Sequence, residues 1–540
     1  MRTIITTFLI FLSAIGFGQA TWVGGFLGDE KEWTNTMNWS PNAVPGAGIN
    51  VTIPTALTHY PVLNTSNCAV NNLNIAAGAS LTIGPTGQLT VSGTLTNSNG
   101  VSGLIFQSDA NNSGTMIYST TGVDATVNVS IAGDEYSVVF VSSPVANAPS
   151  SILGPKTSYF YDEPLADGWG AGLTAIDGWE IMSGNMTVGK GYTYDKFQNT
   201  LTFAGTLTNC SSNYNFVPTF TNTVVADQYD GYNLLGNPLV SKIDWNKVVL
   251  SNVDATYYYF DPIAQNYKVY QQDGLGGGSG TGSRYIKPGH GFFVKVSAAG
   301  VANIEIVPDA KALKTGGEIQ DFVKLEAKAN NFTDESIFRI ASDATNNFDS
   351  KYDGYKLFAT NKAVPQIYSV ENNIDLSINT VPVTTDSKIF DLKFKCQKGN
   401  NYTLSLNETN LTTFSFVYLV DKITGKTIEL KKDETYTFNY EENDANINRF
   451  TLRFEKTALS VNENIENNIN IYPNPANDII YVQSNSVKST YQISNISGKT
   501  VLSGKFDNNQ KIDVSELSKG VYFISVNTKD NKIVKKIVKN

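Results

Sequence analysis

The sequence predicts an all-β, multidomain protein, and its composition and length support this. The 540 residues include 44 Gly, 27 Tyr and 28 Phe, which is typical of many short strands joined by tight turns. Only 16% of the residues are charged, below the roughly 25% usual in globular proteins. At roughly 100–200 residues per domain, the length predicts several domains. The 3 Cys argue against a disulfide framework, and the 2 His exclude most zinc sites.

Met1–Ala20 has the features of a secretory signal peptide that is cleaved after Ala20. Arg2 supplies the positive charge, Ile4–Phe17 forms a short apolar run, and small residues precede the cut. The apolar run is too short to span a bilayer, and no later stretch reaches the ~18 apolar residues that a spanning helix needs. We therefore expect the mature protein to be exported and to contain no transmembrane segment.

Charge is distributed unevenly along the chain. The net charge is −9, and removal of Arg2 with the signal peptide gives −10. Asn467–Asn540 contains ten Lys and five acidic residues, a net charge of +5, which leaves −15 for the preceding part of the mature chain. An acidic body argues against nucleic acid and anionic lipid as partners. The change of sign marks the C-terminal residues as a separate module.

Residues 21–122 are predicted to form a β-solenoid-like repeat region. Three apolar-x-apolar pairs start eight residues apart, with glycines between them: Leu73/Ile75, Leu81/Ile83 and Leu89/Val91. This interval is typical of successive rungs of a β-solenoid, in which each pair points inward and each glycine turns a corner. A plain β-meander would show the same alternation. We expect all six residues to be buried.

Residues 123–316 contain an internal duplication, with copies at about 123–220 and 221–316. Four blocks recur in the same order at offsets between 94 and 100 residues: Tyr136–Val139 with Tyr232–Leu235, Ser143-Pro144 with Asn237-Pro238, Tyr159–Asp162 with Tyr258–Asp261, and Gly189–Tyr192 with Gly289–Phe292. Such regularity indicates two related β modules. We expect the last pair of segments to lie on equivalent elements.

Residues 317–456 are predicted to form a β-sandwich. Long alternating strands such as Phe322–Ala327 and Phe390–Cys396 are followed by a hairpin at Phe416–Leu430. A polar linker, residues 457–467, then precedes a small Ig-like sandwich at residues 468–540.

Residues 468–540 carry the most specific motifs of the chain. These are Tyr472-Pro473-Asn474-Pro475, the turn Ser497-Gly498-Lys499, and Leu517-x-x-Gly520-x-Tyr522. In order and spacing they resemble the type A C-terminal sorting domain of the type IX secretion system of Bacteroidota. The body more loosely resembles passenger modules of flavobacterial secreted proteins, in the segments LLGNPL, YYYFDP, GHGFFV and DSKYDGYKLF.

The resemblance implies export through the outer-membrane translocon of that secretion system. It also implies that a sortase-like protease removes the sorting domain, and that the cargo is attached to surface polysaccharide or released. The expected location is therefore the cell surface, attached to the outer membrane, or the medium.

Few residues of the body are candidates for chemistry. His290 lies between two glycines, but Lys190 occupies the same position in the first copy, so we expect a turn residue with a solvated side chain. Asp343, Asp349 and Asp353 share one loop and are weak candidates for a structural Ca²⁺ site, because extracellular β modules use such oxygen ligands. Turn-forming aspartates give the same pattern. No catalytic residue and no other cofactor is predicted.

These features favour a non-catalytic, adhesin-like protein of the cell surface or medium. An alternative is a carbohydrate-binding accessory protein of polysaccharide use, because the aromatic runs Tyr257–Phe260 and Ser158–Asp162 could stack on sugar rings. Alternate residues of each run could instead pack into the core, which we favour. A secreted hydrolase ranks third, because no pair of carboxylates is singled out. Surface polysaccharide or extracellular glycans are candidate partners of the body.

Overall fold

The computed structural model is all-β and divides into two compact units. Residues Met1–Thr457 are called the body here, and Ala458–Asn540 the C-terminal unit. The structure describes residues 18–135, 137–165, 178–196, 198–208, 212–221, 230–272, 283–313, 322–329, 331–383, 387–397, 399–411, 413–432, 434–441, 448–456, 470–483, 489–507, 509–527 and 532–540. The predicted boundaries at 122 and 316 both fall in the body and stay predictions, and the linker at 457–467 lies outside the described residues.

The body begins with a three-sided parallel solenoid. Its strands are β1 (Gln19–Trp22), β2 (Trp39–Ser40), β3 (Asn50–Ile53), β4 (Val62–Leu63), β5 (Cys68–Val70), β6 (Leu73–Ile75), β7 (Leu81–Ile83), β8 (Gln88–Val91), β9 (Leu95–Asn97), β10 (Leu104–Phe106) and β11 (Thr115–Ile117). The strands β6, β7 and β8 lie in three different sheets, and each strand pairs in parallel with its equivalent one rung further on. Hydrogen bonds between neighbouring rungs join residues 22 positions apart, as from Thr94 to Asn72.

The six predicted core residues of the solenoid are all buried, which confirms their inward orientation. The assignment of the eight-residue interval to successive rungs was wrong. It separates successive sides of one rung, because a rung closes only after three strands.

Three tryptophans close the first rung. Trp22, Trp33 and Trp39 are each at most 1% exposed. The ring of Trp39 lies edge-on to both others, at centroid distances of 5.0 Å from Trp22 and 4.7 Å from Trp33. Its indole N–H donates to the Trp33 carbonyl at 2.8 Å, so the buried polar atom of Trp39 is satisfied.

The two copies of the duplicated region have the same strand order. The first contains β12 (Asp124–Ser130), β13 (Val138–Val141), β14 (Ser158–Tyr161), β15 (Trp179–Ile181), β16 (Tyr192–Asp195) and β17 (Thr200–Thr206). The second begins at β18 (Tyr214–Phe216), which pairs with β26 and lies just before the predicted boundary near 221. It continues with β19 (Tyr232–Gly236), β20 (Lys242–Asp244), β21 (Val249–Ser251), β22 (Val253–Asp261), β23 (Asn266–Gln271), β24 (Tyr285–Ile286), β25 (Gly291–Val296) and β26 (Asn303–Ile306), and β27 (Lys311–Ala312) follows.

Their four-stranded sheets are ordered β13-β16-β14-β15 and β19-β25-β22-β23. The flanking strands also correspond, because β12 pairs with β17 and β18 pairs with β26. Gly189–Tyr192 leads into β16 and Gly289–Phe292 into β25. The prediction that these segments lie on equivalent elements is confirmed.

Reciprocal contacts join the two copies. The strand registers match Val141 with Leu235, two residues away from the predicted alignment of Val139 with Leu235. Val141 of β13 forms a β-bridge with His290, and Leu235 of β19 forms one with Lys190. Strand β12 also pairs in parallel with β10, so the solenoid and the first copy share a sheet. One hydrophobic core therefore extends from the solenoid through both copies.

The third region of the body forms one eleven-stranded sheet. Its strands are β28 (Phe322–Ala329), β29 (Phe332–Ala341), β30 (Gly354–Tyr355), β31 (Gln366–Glu371), β32 (Ile374–Pro382), β33 (Ser387–Lys395), β34 (Gly399–Asn410), β35 (Phe416–Asp421), β36 (Lys426–Glu429), β37 (Thr435–Tyr440) and β38 (Phe450–Glu455). The sheet order is β36-β35-β38-β33-β31-β32-β29-β28-β34-β37, with β30 beside β32. Phe394 of β33 reaches Phe438 of β37 at 4.9 Å. The sheet thus curls until its halves face each other, as the layers of the predicted sandwich do.

The C-terminal unit is a small two-sheet sandwich, as predicted. Its strands are β39 (Asn470–Tyr472), β40 (Ile479–Gln483), β41 (Ser489–Asn495), β42 (Thr500–Phe506), β43 (Asn509–Asp513), β44 (Gly520–Asn527) and β45 (Lys532–Lys539). The sheets β39-β40-β43 and β42-β41-β44-β45 enclose an aliphatic core that includes Ile480, Ile493 and Ile524.

Helical structure is confined to six short 3-10 turns in the described part of the chain: Thr36–Asn38, Gly100–Ser102, Ser150–Leu153, Glu163–Leu165, Trp245–Lys247 and Pro308–Ala310. None of the described helices has the length and apolar character needed to cross a bilayer.

Candidate functional site

The first sorting motif fastens the C-terminal strand. The side chain of Asn474 donates from Nδ2 to the Lys536 carbonyl at 2.8 Å and accepts from the Val538 N–H at 2.9 Å. Ala476 continues this contact, because its N–H donates to the Val538 carbonyl at 2.7 Å. The peptide bonds before Pro473 and Pro475 are both cis. The motif therefore covers the edge of β45 with an extended segment.

The other two motifs shape turns at the rim of the unit. Gly498 has φ +82°, a left-handed conformation that glycine adopts without strain. The side chain of Asn495 accepts from the backbone N–H groups of Ser497 and Lys499 in the same turn. Gly520 begins β44, and Tyr522 is buried with its hydroxyl donating to the Ser518 carbonyl at 2.9 Å. These residues build the turns that the sequence predicted.

Aromatic residues of the C-terminal unit remain at its surface. Tyr472 is 50% exposed and stacks on Tyr481, which is 42% exposed, at a centroid distance of 5.6 Å. Phe523 is 40% exposed on the outer sheet, where it pairs with Lys536. The surface of this unit thus combines apolar rings with basic side chains.

A cavity of about 260 Å³ lies between the two copies of the body. Val139 and Phe140 of β13 line it from the first copy, and Tyr259, Lys287 and His290 line it from the second. Ligand sites in proteins are concave and mostly apolar, with a few convergent polar groups. This cavity has that composition and is the candidate ligand site of the body.

His290 forms part of the cavity wall, so the prediction of a solvated side chain was wrong. The ring is half-buried, and burial lowers the pKa of His290 to about 4, with a smaller contribution from the Lys287 charge. Nδ1 lies 3.0 Å from the Pro288 carbonyl, which assigns the proton to Nδ1 and leaves Nε2 as an acceptor. The turn is buried because it packs against β13 of the other copy, a contact between distant residues.

Of the neighbours of His290, Tyr259 belongs to the aromatic run that the sequence offered as a sugar-stacking surface, whereas Asp261 and Lys287 were not candidates. Tyr259, Asp261 and Lys287 line the same cavity. The duplication contains the signal that could have found them, because position 190 is a lysine in the first copy and position 290 a histidine in the second. The two copies thus carry side chains of different chemistry at this matched position.

The aromatic runs mainly fill the core, as we favoured. Tyr257 and Tyr258 are at most 2% exposed, and Tyr161 of the first run is also buried and packs edge-on against Trp179 at 5.2 Å. Tyr257, Tyr259 and Phe260 of the second run line the cavity, and the last two are half-buried.

The three candidate calcium ligands are engaged by other groups. Asp343 is exposed and forms an ion pair with Lys351 at 3.5 Å. Asp353 is buried and accepts backbone N–H groups of Thr380 at 2.7 Å and Asp349 at 2.8 Å. No three described His, Cys, Asp or Glu side chains are grouped so that they could hold a metal ion. The structure thus places the aspartates in one loop without gathering their carboxylates.

A network of buried charges joins the second copy to the third region through Asn266 and Lys268. Lys356 Nζ lies 2.6 Å from Asp334 Oδ2, with both side chains at most 2% exposed. Asn266 of β23 donates to the other oxygen of Asp334 at 2.7 Å, and Lys268 lies 3.6 Å from Glu335. Removing one partner would leave a buried unpaired charge, so this network fixes β23 against β29.

The predicted signal cleavage site lies in the first strand. Gln19 and Ala20 pair with Asn50 and Val51 of β3, and Ala20 is 3% exposed. Cleavage after Ala20 stays a prediction, and it would remove two of the four residues of β1.

Comparison with protein families gives two matches. A family model described as a domain of unknown function (DUF8693) matches residues 21–454. A model described as a secretion system C-terminal sorting domain matches residues 470–540. The second match confirms the sorting domain, and with it secretion across the outer membrane to the cell surface or medium.

Among curated proteins, the chain is similar to the minor fimbrium subunit Mfa5 of Porphyromonas gingivalis. The two are 22% identical over 507 residues, which cover 81% of this chain and 39% of the relative. The chain therefore spans well under half the length of that relative.

Two solved structures give weak matches. PorZ, a surface component of the type IX secretion system of Porphyromonas gingivalis, is 10% identical with a TM-score of 0.13, over 74% of this chain and 51% of PorZ. A polysaccharide lyase is 7% identical with a TM-score of 0.12, over 54% of this chain and 46% of the lyase. Both scores are too low to indicate a shared fold.

Proposed function

This chain belongs to the family defined by the domain of unknown function DUF8693, and from that premise we propose that its body is a non-catalytic, adhesin-like binding protein. The sorting domain delivers the body to the cell surface. Surface polysaccharide or extracellular glycans are the partners that we expect there. The translocon and sortase-like protease of the type IX system are the partners of the C-terminal unit during export.

The observation that carries the proposal is the continuity of the body. The solenoid shares a sheet with the first copy, and the copies exchange β-bridges. The buried Lys268–Glu335 ion pair and the hydrogen bond from Asn266 to Asp334 hold the second copy to the third region. These links are main-chain ladders or fully buried charges, and breaking a buried pair costs about 3–5 kcal/mol. Such a body can transmit a pulling force from a bound ligand to its attachment point, as an adhesin must.

The likeness to a fimbrium subunit supports the same proposal. It covers 81% of this chain at 22% identity, so it includes most of the body. Because the chain spans 39% of that relative, the proposal concerns only the matched part and not the assembly of a fimbrium.

The test is a cell-adhesion and glycan-array screen with beads that carry the body, residues 21–456. We expect saturable binding to cells or glycans, and none with beads that carry only residues 470–540. Beads that bind neither cells nor glycans would refute the adhesin-like role. Release of oligosaccharides from a polysaccharide during incubation would refute the non-catalytic role and favour a hydrolase.

A carbohydrate-binding accessory protein is the second candidate function. The cavity between the copies favours it, because aromatic rings and a neutral histidine acceptor lie together there. This candidate predicts binding to free soluble polysaccharide with no gain in adhesion of intact cells.

A further inference from the structure

We propose that the cavity between the two copies binds one uncharged pyranose ring of a glycan, with Tyr259 as the stacking surface and His290 as a hydroxyl acceptor. The inference rests on the proposed function as a surface binding protein and adds to it the site and the ligand class.

The first copy supplies the internal comparison. Phe160 occupies the position of Tyr259, and Lys190 that of His290, by the block alignment and by matching registers between β14 and β16 and between β22 and β25. The Lys190 ammonium lies 3.3 Å from the centre of the Phe160 ring. In the first copy, the turn residue therefore covers the aromatic face itself.

In the second copy, a histidine occupies the position of this lysine. His290 is shorter than lysine, and its ring and that of Tyr259 both line the 260 Å³ cavity. The same fold thus places a lysine on the ring in one copy and leaves a cavity beside the ring in the other. An outside group can then take the place that Lys190 fills in the first copy.

The polar groups of the cavity define the chemistry of that group. His290 offers an acceptor at Nε2, as its Nδ1 proton points to Pro288. Lys287 supplies a cation, and Asp261 a carboxylate whose Oδ1 accepts the Ile263 N–H at 2.9 Å. Charges of both signs disfavour a strongly charged ligand, whereas hydroxyl groups can donate to His290 and accept from Lys287.

Size and shape select one ring. Ligand sites commonly occupy about 300–1,000 Å³, so a cavity of about 260 Å³ holds one small ring rather than an extended chain. A pyranose offers an apolar C–H face for the aromatic wall and hydroxyls at its rim, which match the two kinds of wall found here.

The experiment uses the mature chain, residues 21–540, and the methyl glycosides of glucose, galactose, mannose and N-acetylglucosamine as probes. Saturation-transfer NMR detects binding, and calorimetry gives the affinity and stoichiometry. We expect at least one glycoside to bind once per chain. Binding of none of them, or preferential binding of Nα-acetyl-lysine methylamide as a cationic probe, would refute the proposal.

Two of the variants exchange the residues found at the matched positions 190 and 290 of the two copies. His290→Lys should fill the cavity as Lys190 does and abolish binding, whereas Lys190→His should leave the affinity unchanged. Tyr259→Ala should weaken binding about tenfold or more, and Tyr259→Phe should retain it, because the ring remains. A thermal melt of each variant checks its folding. Binding that survives both His290→Lys and Tyr259→Ala in folded protein would place the site elsewhere.

The outcome is separable from that of the bead assay. If the His290→Lys and Tyr259→Ala variants still adhere, the adhesin-like role is supported and the cavity is not its binding site. If glycosides bind at the cavity but the body shows no adhesion, the binding site is supported and the adhesin-like role is refuted.

Discussion

The body packs a cluster of tryptophans inside, whereas the C-terminal unit has a pair of tyrosines at its surface. Trp22, Trp33 and Trp39 are at most 1% exposed and contact one another edge to face. Tyr472 and Tyr481 stack on each other as well, but they are 50% and 42% exposed. The rings contact each other in both places, edge to face in the tryptophan cluster and stacked in the tyrosine pair, but only the tryptophans are buried. Aromatic content alone therefore does not distinguish a core from a recognition surface.

Charged groups show the same contrast. The body buries the pairs Asp334–Lys356 and Glu335–Lys268, while several lysines of the C-terminal unit are exposed: Lys499, Lys511, Lys519, Lys535 and Lys536. Buried pairs fix geometry, and exposed charges remain available to a partner. The comparison indicates that the buried charges of the body maintain its structure, whereas the exposed charges of the C-terminal unit can be recognised by a partner.

The largest expected effect is on the location of the protein when the C-terminal unit is deleted. Deletion of residues 470–540 should leave the body folded, because the chain divides into compact units at Thr457. The truncated protein should then accumulate in the periplasm, since the sorting domain is assigned the crossing of the outer membrane. Cell fractionation and immunoblotting measure this, and truncated protein in the medium of intact cells would contradict it.

The reciprocal fusion is the control. Residues 457–540, placed after an unrelated reporter with its own signal peptide, should carry that reporter to the surface or medium of the same host. A reporter that stays in the periplasm would show that the body also contributes to sorting.

The second effect tests the buried aromatics of the body. Trp39→Ala should lower the free energy of unfolding of the body by about 3–5 kcal/mol, as large-to-small substitutions of buried aromatic residues do. Trp39 is fully buried between two other tryptophans. Calorimetry should show a lower transition temperature for the body, with the transition of the C-terminal unit unchanged.

Leu27→Ala is the matched control for that measurement. Leu27 lies in the same segment but is 88% exposed, so its loss should change stability by no more than about 0.5 kcal/mol. Equal effects of the two substitutions would contradict the packing of the tryptophan cluster.

The sequence predicted which side chains of the solenoid are buried, but it did not predict which strands pair with each other. Alternation decides which side chains of a strand share a face, and this is a local property. Leu73 and Ile75 were placed correctly for that reason. The pairing of Leu73 with Leu95 depends on the number of residues in one full rung. The eight-residue interval gives the length of one side and not the length of the rung. The same limit applies to His290, whose burial depends on Val141 of the other copy.

The motifs of the C-terminal unit were recognisable because most of their contacts are local. The turn at Gly498 uses Asn495 three residues earlier, so the sequence contains both partners within one motif. The contacts of Asn474 with β45 span 62 and 64 residues. Its motif could be recognised by resemblance, but its role as a fastening of the last strand needed the structure.

The third effect concerns a buried carboxylate of the body. Burial raises the pKa of Asp353 to about 7, above the ordinary value near 4. The folded body therefore favours the protonated form, and this stabilisation is present below pH 4 and is lost as the pH rises to 7. The unfolding free energy should fall by up to about 1.4 kcal/mol per pH unit across that interval.

Asp353→Asn should reduce this slope, whatever its effect on stability at a single pH. Asp343→Asn, in the same loop at an exposed position, should preserve it. Chemical unfolding of the body at several pH values gives the slopes, and equal slopes for the wild type and Asp353→Asn would contradict the assignment. Some slope should remain, because burial also raises the pKa of Asp254, to about 6.

The smallest expected effect tests the fastening of the C-terminal strand. Asn474→Ala removes the hydrogen bonds to the Lys536 carbonyl and the Val538 N–H, and bonds of this kind contribute about 0.5–1.5 kcal/mol each. The unfolding free energy of the C-terminal unit should therefore fall by about 1–3 kcal/mol, and that of the body should not change. We also expect faster hydrogen exchange in β45 and slower secretion. Gln492→Ala, at an exposed position of β41, is the control and should change none of these. Asn474→Asp separates the two bonds, because a carboxylate still accepts from Val538 but cannot donate to Lys536. If exchange in β45 stayed at the wild-type rate in Asn474→Ala, the motif would not fasten this strand. Its part in sorting would then have to depend on the exposed face of Tyr472.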